Sequence, residues 1–260
     1  MYNIVSMIRD NILKVRQRIA AAAARAGRNG QEITVIAVTK NRGIEEIREA
    51  ISAGITDIGE NRAQEALEKY NQLVTASRES QMNTACRDRF ETCPYITGHI
   101  KWHFIGHLQT NKVKVAVKIF DLIQSVDSLR LAQEIDRQAA LINKVQDILL
   151  EIKTSPEESK SGIKLEQAQQ VIADIAGLKN VNIRGLMTIA PAADDPESAR
   201  PYFRQLRELR DRINVFFTSH VLRPTSYGGL QILSMGMSDD FEVAIEEGAT
   251  MVRLGRAIFG

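Results

Sequence analysis

A single lysine closes the apolar run Ile33-Thr34-Val35-Ile36-Ala37-Val38-Thr39-Lys40. The residues that would make a turn there, Asn41, Arg42 and Gly43, come only after it. A lysine partly withdrawn from water is a nucleophile toward carbonyls. Lys40 is therefore a candidate to hold an aldehyde cofactor as a Schiff base. On spacing alone an ion pair with a carboxylate such as Glu60 is the simpler explanation.

A second set of residues lies near the C-terminus. Ser234-Met235-Gly236-Met237-Ser238 and Gly255-Arg256 are two short turns rich in glycine and serine. Gly236 and Gly255 let backbone N–H groups approach an anion closely. Ser238 is placed to cap the helix that follows, whose N-terminus favours anions. Asp239 and Asp240 would repel a phosphate if they pointed inward, and helix-dipole matching is the only account the sequence offers for them. Between the turns, Arg253 alternates with Val252 and Leu254, so it points away from both. A buried guanidinium needs an acceptor. A cofactor's phosphate or ring nitrogen would serve, and so would Asp57 or Glu60.

The histidines suggest a metal site less than their spacing implies. His99, His103 and His107 are four apart, but Trp102 to Ile105 reads as a strand, where that spacing gives no shared face. Cys86 and Cys93 add no familiar ligand spacing, so no metal is expected. Tyr227-Gly228-Gly229 reads as a turn.

These residues need elements that bring them to one place. Residues 1–26 read as an amphipathic packing helix, with Ile4, Ile8, Ile12, Val15 and Ile19 at helical spacing. Strands are expected near 33–39, 55–59, 102–106, 120–126, 145–153, 181–189, 231–234 and 250–254. Helices are expected at 44–53, 62–73, to about 118, 128–142, 165–176, 197–213 and 239–247. Residues 76–98 show no clear period and read as a long loop insertion. Eight strands alternating with helices predict one α/β domain over 1–260: a single (β/α)8 TIM-type barrel with an extra N-terminal helix. The final helix is missing or supplied by residues 1–26. The rival, an open doubly wound sheet, lacks its G-x-G-x-x-G turn after the first strand.

A barrel presents active groups at the C-terminal ends of its strands and typically binds phosphate after the last two. Lys40, Glu60-Asn61, His107, Gln109, Asn111, Met187-Thr188, Ser234–Ser238, Arg253 and Gly255 all fall at that rim. The candidate cofactor contacts are Lys40, Asn61, Met187, Ser234, Met235, Gly236, Arg253, Gly255 and Arg256.

The whole chain sets limits. Its 260 residues are 44% hydrophobic and 25% charged, enough for one sizeable core. A net charge of +2, from 34 basic and 32 acidic residues, gives no electrostatic case for nucleic acid or membrane. Two cysteines cannot build a disulfide framework. Charges interrupt the first 24 residues, so no signal peptide is read, and no apolar run reaches the ~18 residues of a membrane span. A cytoplasmic setting is expected. The outer helices show no decisive apolar patch, so a monomer or weak dimer is expected.

Several segments together resemble the pyridoxal phosphate homeostasis proteins. They are Ala37-Val38-Thr39-Lys40, Gly59-Glu60-Asn61 with Gln64-Glu65, Trp102 to Lys112, Gly185-Leu186-Met187-Thr188, Ser234 to Asp239 and Val252 to Gly260. The resemblance runs from about residue 9 onward. It implies a barrel like the N-terminal domain of alanine racemase and pyridoxal 5′-phosphate bound to Lys40. It also implies phosphate held by the Ser234–Gly236 and Gly255–Arg256 turns, with Arg253 near the ring or phosphate. Such proteins have no established turnover and are thought to buffer or deliver the cofactor, with apo-enzymes as recipients. Two departures stand out: Asn41-Arg42-Gly43 replaces a Thr-x-Pro-like turn, and 76–98 is longer than the usual linker. An amino-acid racemase using the same lysine is the alternative, and an unrelated Schiff-base aldolase a third reading that lacks an acid–base set. An arginine at the pyridine nitrogen would weaken the electron sink that catalysis needs. None of the tyrosines at 2, 70, 95, 202 and 227 ends a strand as a racemase's second base would, and only Tyr227, on the loop before strand seven, is placed to be brought near.

Overall fold

The computed structural model describes residues 4–82, 100–155, 161–219 and 229–260. Its strands are β1 (Thr34–Val38), β2 (Asp57–Glu60), β3 (Lys101–Phe104), β4 (Leu122–Val126), β5 (Gln146–Lys153), β6 (Ile163–Lys164), β7 (Val181–Met187), β8 (Ile232–Ser234) and β9 (Met251–Leu254). They pair in the order β4-β3-β2-β1-β9-β8-β7-β5, and β4 also pairs with β5. That last pairing closes an eight-stranded parallel barrel, as expected from the alternation of strands and helices. β6 is an addition the sequence did not suggest. Its two residues pair only with the end of β5, outside the ring.

Helices α1 (Ile4–Arg25), α2 (Ile44–Ser52), α3 (Ala63–Met82), α4 (Val113–Ile119), α5 (Leu129–Ala140), α6 (Ala168–Ala176), α7 (Arg200–Ser219), α8 (Phe241–Glu246) and α9 (Arg256–Phe259) surround it. Several ends shift by one to three residues from the sequence reading, and two helices run well past their expected ends. α7 runs six residues beyond the expected 213. α3 continues to Met82, so residues 76–82 of the expected loop are helical. Nothing between 75 and 82 breaks a helix, since the stretch has neither glycine nor proline, and the missing apolar period was a poor stop signal. Residues 83–98 of the expected insertion, with both cysteines, lie outside the described residues, as do His99 and Tyr227-Gly228.

α1 supplies the cover that the short α9 cannot. It packs against α2, α8 and α9, across the seam between β9 and β1. Ile8, Ile12, Val15 and Ile19 are buried there at the predicted spacing. Each such side chain stabilises the packing by about 1.5–3 kcal/mol. Polar contacts fix the register: Asn11 Nδ2 donates to Ile258 O, and Arg28 Nη1 donates to Ile245 O and Ala249 O.

The apolar content divides into two layers. The larger one lies between strands and helices. The smaller one fills the barrel interior, where Leu122, Leu149 and Met187 pack together with Ile232 and Met251. Leu149 faces inward, so alternation along β5 turns Glu151 and Lys153 inward as well, higher toward the C-terminal mouth. On β1 the same rule, applied through the pairing of Ile36 with Arg253, turns Ile36, Val38 and then Lys40 inward.

The loops after β2 and β3 meet closely at the mouth. A Cβ on Gly106 would stand 2.5 Å from Asn61 O and 2.8 Å from Asn61 Cα. Gly106→Ala should therefore cost about 1–3 kcal/mol of unfolding free energy. Gly177→Ala is the control: its Cβ would come no closer than 3.6 Å, to Asp174 O, and the cost should stay within about 0.5 kcal/mol. Urea unfolding of both variants checks this, and equal midpoints would show that the two loops can separate freely.

Candidate cofactor site

Lys40 stands just past β1 on a turn held from behind. Thr39 N donates to Gly59 O at 3.0 Å, and Arg42 N returns to Thr39 O at 3.0 Å. Between them Asn41 takes φ 60°, in the left-handed region that asparagine tolerates better than most residues. Lys69 of α3 reaches under the turn and donates to Thr39 O, Glu60 Oε1 and Glu65 Oε1, each at 2.7 Å. Thr39 Oγ1 donates to Glu60 Oε1 at 2.6 Å, and Asn41 N donates to Glu65 Oε1 at 3.1 Å. Residues on both sides of Lys40 are thus tied to one buried cluster.

This corrects the ion-pair explanation of Lys40. Glu60 faces outward beneath α3 and is claimed by Lys69. Burial raises the Glu60 carboxyl above its ordinary value, against the hydrogen bonds from Lys69 and Thr39 that lower it. Burial acts in the same raising sense on Glu65, but there the bonds from Lys69 and the Asn41 N–H prevail and hold it below the usual range. Lys40 itself is exposed, more so than the sequence reading expected, and makes no ion pair or hydrogen bond among the described residues.

Arg253 points into the barrel as alternation predicted and is 4% exposed. Its acceptors are neither Asp57 nor Glu60. Nη1 donates to Ser234 Oγ at 2.8 Å, and Nη2 donates to Thr188 O at 2.9 Å. Burial lowers its pKa to about 10, while the charges of Asp240 and Glu151 act in the opposite sense. Among the described residues no carboxylate lies within ion-pair distance of it.

From Arg253 a line of hydrogen bonds crosses the interior. Ser234 Oγ donates to Gln124 Oε1 at 2.6 Å. Gln124 Nε2 lies 3.0 Å from His103 Nδ1, and His103 Nε2 lies 2.8 Å from Asp57 Oδ1. An ionised Asp57 only accepts, so the consistent assignment has Gln124 donate to Nδ1 and Nε2–H donate to Asp57. Burial would raise the Asp57 carboxyl, but the bonds from His103 and Thr56 outweigh it and lower it. A buried cation and a buried anion are joined through three neutral side chains. His103 and Gln124 were missed by sequence reasoning, although strand alternation on β3 and β4 carried the signal. His107, by contrast, stands at the outer rim 3.4 Å from Asp127.

The two glycine turns lie above Arg253. Gly236 takes φ 93°, and a Cβ there would stand 2.6 Å from Ala244 Cβ and 2.9 Å from Phe241 Cα. The turn is pressed onto α8, and only glycine allows it. Asp240 and Asp239 now have an account. Asp240 Oδ1 accepts from Met237 N at 2.6 Å, and Asp239 pairs with Arg256 across the two turns. Ser238 does not cap α8 as expected. Its Oγ accepts from Ala257 N at 3.1 Å and so ties the second turn to the first. The Arg256 N–H, at the start of α9, has no intrahelical acceptor. Met235 places its side chain in the outer layer, so only its backbone borders the mouth. Met187 lies in the interior layer below.

Opposite the turns a cavity of ≈ 270 Å³ opens at the mouth, lined in part by Asn61, His107, Glu151, Lys153, Thr154 and Ser155. Asn61 Oδ1 and Ser155 Oγ are buried in it without a hydrogen-bond partner. The structure thus brings Lys40, Asn61, Ser234, Gly236, Arg253, Gly255 and Arg256 to one end of the barrel. What the arrangement can do is hold an anion or a ring acceptor near a free amine.

Comparisons with known proteins bear on the fold and the family. The family model described as alanine racemase, N-terminal domain, matches residues 8–260. The pyridoxal phosphate homeostasis protein of Aquifex aeolicus is 41% identical over 251 residues, 96% of each chain. The solved structure of PipY from Synechococcus elongatus, with PLP bound, is 31% identical with a TM-score of 0.74, covering 97% of this chain and all of PipY's. An alanine racemase from Clostridium difficile superposes with a TM-score of 0.67 at 15% identity, covering 98% of this chain and 56% of the racemase, which shows the fold alone. A barrel that closes as predicted, a match along nearly its full length and this degree of identity place the chain in the pyridoxal phosphate homeostasis protein family.

Proposed function

We propose that this chain binds pyridoxal 5′-phosphate and keeps it available in the cell, with Lys40 Nζ as its covalent anchor. The observation that carries the reading is Arg253, a buried cation whose two direct acceptors are both neutral. Such a guanidinium keeps donors for an anionic or heteroaromatic acceptor. The residues around it fit this cofactor. The Ser234–Gly236 and Gly255–Arg256 turns would offer backbone N–H groups for its phosphate; the Met235 N–H is not one of them, because it donates to Met251 O at 3.1 Å. Asn61 Oδ1, buried and unpartnered, accepts a hydroxyl donor on its ring. Met187 gives an apolar floor. When bound, the cofactor would supply an aldehyde, and Lys40 would be the residue that holds it.

The chain's own residues favour holding over turnover. Arg253 donating to the ring nitrogen would leave that nitrogen without a proton and weaken the electron sink that carbanion chemistry requires. A racemase also needs a second base facing Lys40. Among the described tyrosines, Tyr70 packs edge-on against Trp102, with ring centroids 5.6 Å apart, and Tyr202 packs on the outer layer. Neither faces the mouth, and no observation favours the racemase alternative. A cytoplasmic setting, transfer to apo-enzymes and a monomeric or weakly dimeric state belong to the same proposal. Among the described residues no helix is long and apolar enough to cross a membrane.

Two outcomes follow. Mixing the protein with pyridoxal phosphate should give a visible absorption band, and borohydride reduction should then fix the adduct on the peptide containing Lys40. An undiminished band in Lys40→Ala would refute the anchor. Arg253→Leu should weaken cofactor retention at least about tenfold in equilibrium dialysis, without lowering the unfolding temperature, because it removes a buried charge with no acid partner. Unchanged retention would make Arg253 a structural residue only.

A further inference from the structure

The line of hydrogen bonds between Arg253 and Asp57 has a direction, and one proton sets it. His103, Gln124 and Ser234 are each no more than 1% exposed, so they must satisfy one another. With His103 neutral, Nε2–H donates to Asp57 and Nδ1 accepts from Gln124 Nε2. Gln124 Oε1 is left to accept the Ser234 hydroxyl hydrogen, while Ser234 Oγ accepts from Arg253 Nη1. In that state the Ser234 hydrogen is committed to Gln124 and offers nothing to the mouth. A proton on Nδ1 makes both ring nitrogens donors. Gln124 must then turn its amide over, with Oε1 toward His103 and Nε2 toward Ser234. Ser234 Oγ accepts from Gln124 and Arg253 together, and its hydrogen is released.

The surroundings allow that proton. Asp57 lies 2.8 Å from Nε2 and, when ionised, favours an imidazolium. It opens β2 and borders a cavity of ≈ 660 Å³ at the end of the barrel opposite the mouth, so the far end of the line is within reach of water. The other charges on the inward strand faces are Lys101 on β3, Asp147 and Glu151 on β5, Arg184 on β7 and Arg253 on β9. β1, β4 and β8 bring neutral side chains to the interior: Ile36, Gln124 and Ser234. Lys101 and Arg253 oppose a new positive charge. Asp147 and Glu151 favour it, although Asp147 already has Arg184 at 3.5 Å. Burial, reinforced by the charge of Asp127, raises the Glu151 carboxyl above its ordinary value, so Glu151 is the other group whose charge must be controlled for.

We propose that His103 and Gln124 are positioning residues for the cofactor: one proton on His103 reverses the line and turns the Ser234 hydroxyl from Gln124 toward the cofactor's phosphate or ring nitrogen. The inference rests on the cofactor reading and says how that site is tuned. Proton and cofactor then bind cooperatively, each raising the affinity for the other by the same factor.

The test uses the full chain freed of carbonyl cofactor and titrated with pyridoxine 5′-phosphate, which has no aldehyde and so leaves the chemistry of Lys40 out. Wild type is compared with His103→Gln, where a glutamine can still donate to Asp57 and accept from Gln124 but takes up no proton. Between about pH 8 and pH 5 the ratio of the two affinities should move about tenfold in favour of the wild type. The ligand's own titration is common to both and cancels. Ser234→Ala should lose this gain, and Glu151→Gln should keep it. NMR of the imidazole nitrogens, with His103 assigned by its loss in His103→Gln, reads the switch in the wild type itself. It should show hydrogen on Nε2 alone in the free chain at the upper pH, and on both nitrogens in the bound chain at the lower. A constant ratio, a His103 that stays neutral when ligand is bound, a gain that survives Ser234→Ala or one abolished by Glu151→Gln would each overturn the proposal. Binding with a constant ratio sinks this inference alone, whereas no binding at any pH sinks the cofactor reading as well.

Discussion

The site is built around one buried charge. Arg253 is 4% exposed, and both of its direct acceptors are uncharged. Taking a guanidinium out of water is costly unless it is paired or hydrogen-bonded. The protein recovers part of that cost through a line of oriented groups, Ser234, Gln124 and His103, that ends on Asp57. Each member of the line donates in the same sense, away from the cation. Such aligned dipoles stabilise the charge without neutralising it at close range. The cation stays available to something that enters the mouth.

The other end of the account is Lys40, where the design is the reverse. Its amine is exposed and unpaired among the described residues, while its backbone is fixed. Lys69 binds the carbonyl before it, and Glu65 binds the N–H after it. A second lysine, buried and saturated, thus positions the first. The two glycine turns complete the site, and the Asp239–Arg256 and Ser238–Ala257 contacts lock them to each other. Under the proposed function, a fixed backbone under an exposed amine would suit a residue that forms and releases a covalent bond.

What the sequence disclosed depended on how local each signal was. The barrel was legible because eight β-branched runs alternate with helices, and the inward turn of Arg253 followed from three neighbouring residues. Lys40 was legible as a charge at the end of an apolar run. The partner of Glu60 was not, because Lys69 lies nine residues on and on another element, and Lys40 looked equally suitable. The interior line was not read because its members come from β2, β3, β4, β8 and β9, and only barrel closure makes them adjacent. Asp239 and Asp240 resembled repulsive charges until the turn geometry showed that each has a donor. Helix α3 outran its expected end because a stretch without glycine or proline can stay helical without an apolar stripe.

Under the proposed function these features would hold an aldehyde cofactor between an exposed amine and a fixed cation. The measurement that tests this most directly is a crystal structure of the chain with pyridoxal phosphate. The account predicts density continuous with Lys40 Nζ, the phosphate on the Ser234–Gly236 and Gly255–Arg256 turns, and the Arg253 guanidinium within hydrogen-bond distance of the ring nitrogen or phosphate. Cofactor joined to another lysine, or a phosphate seated away from both turns, would contradict it.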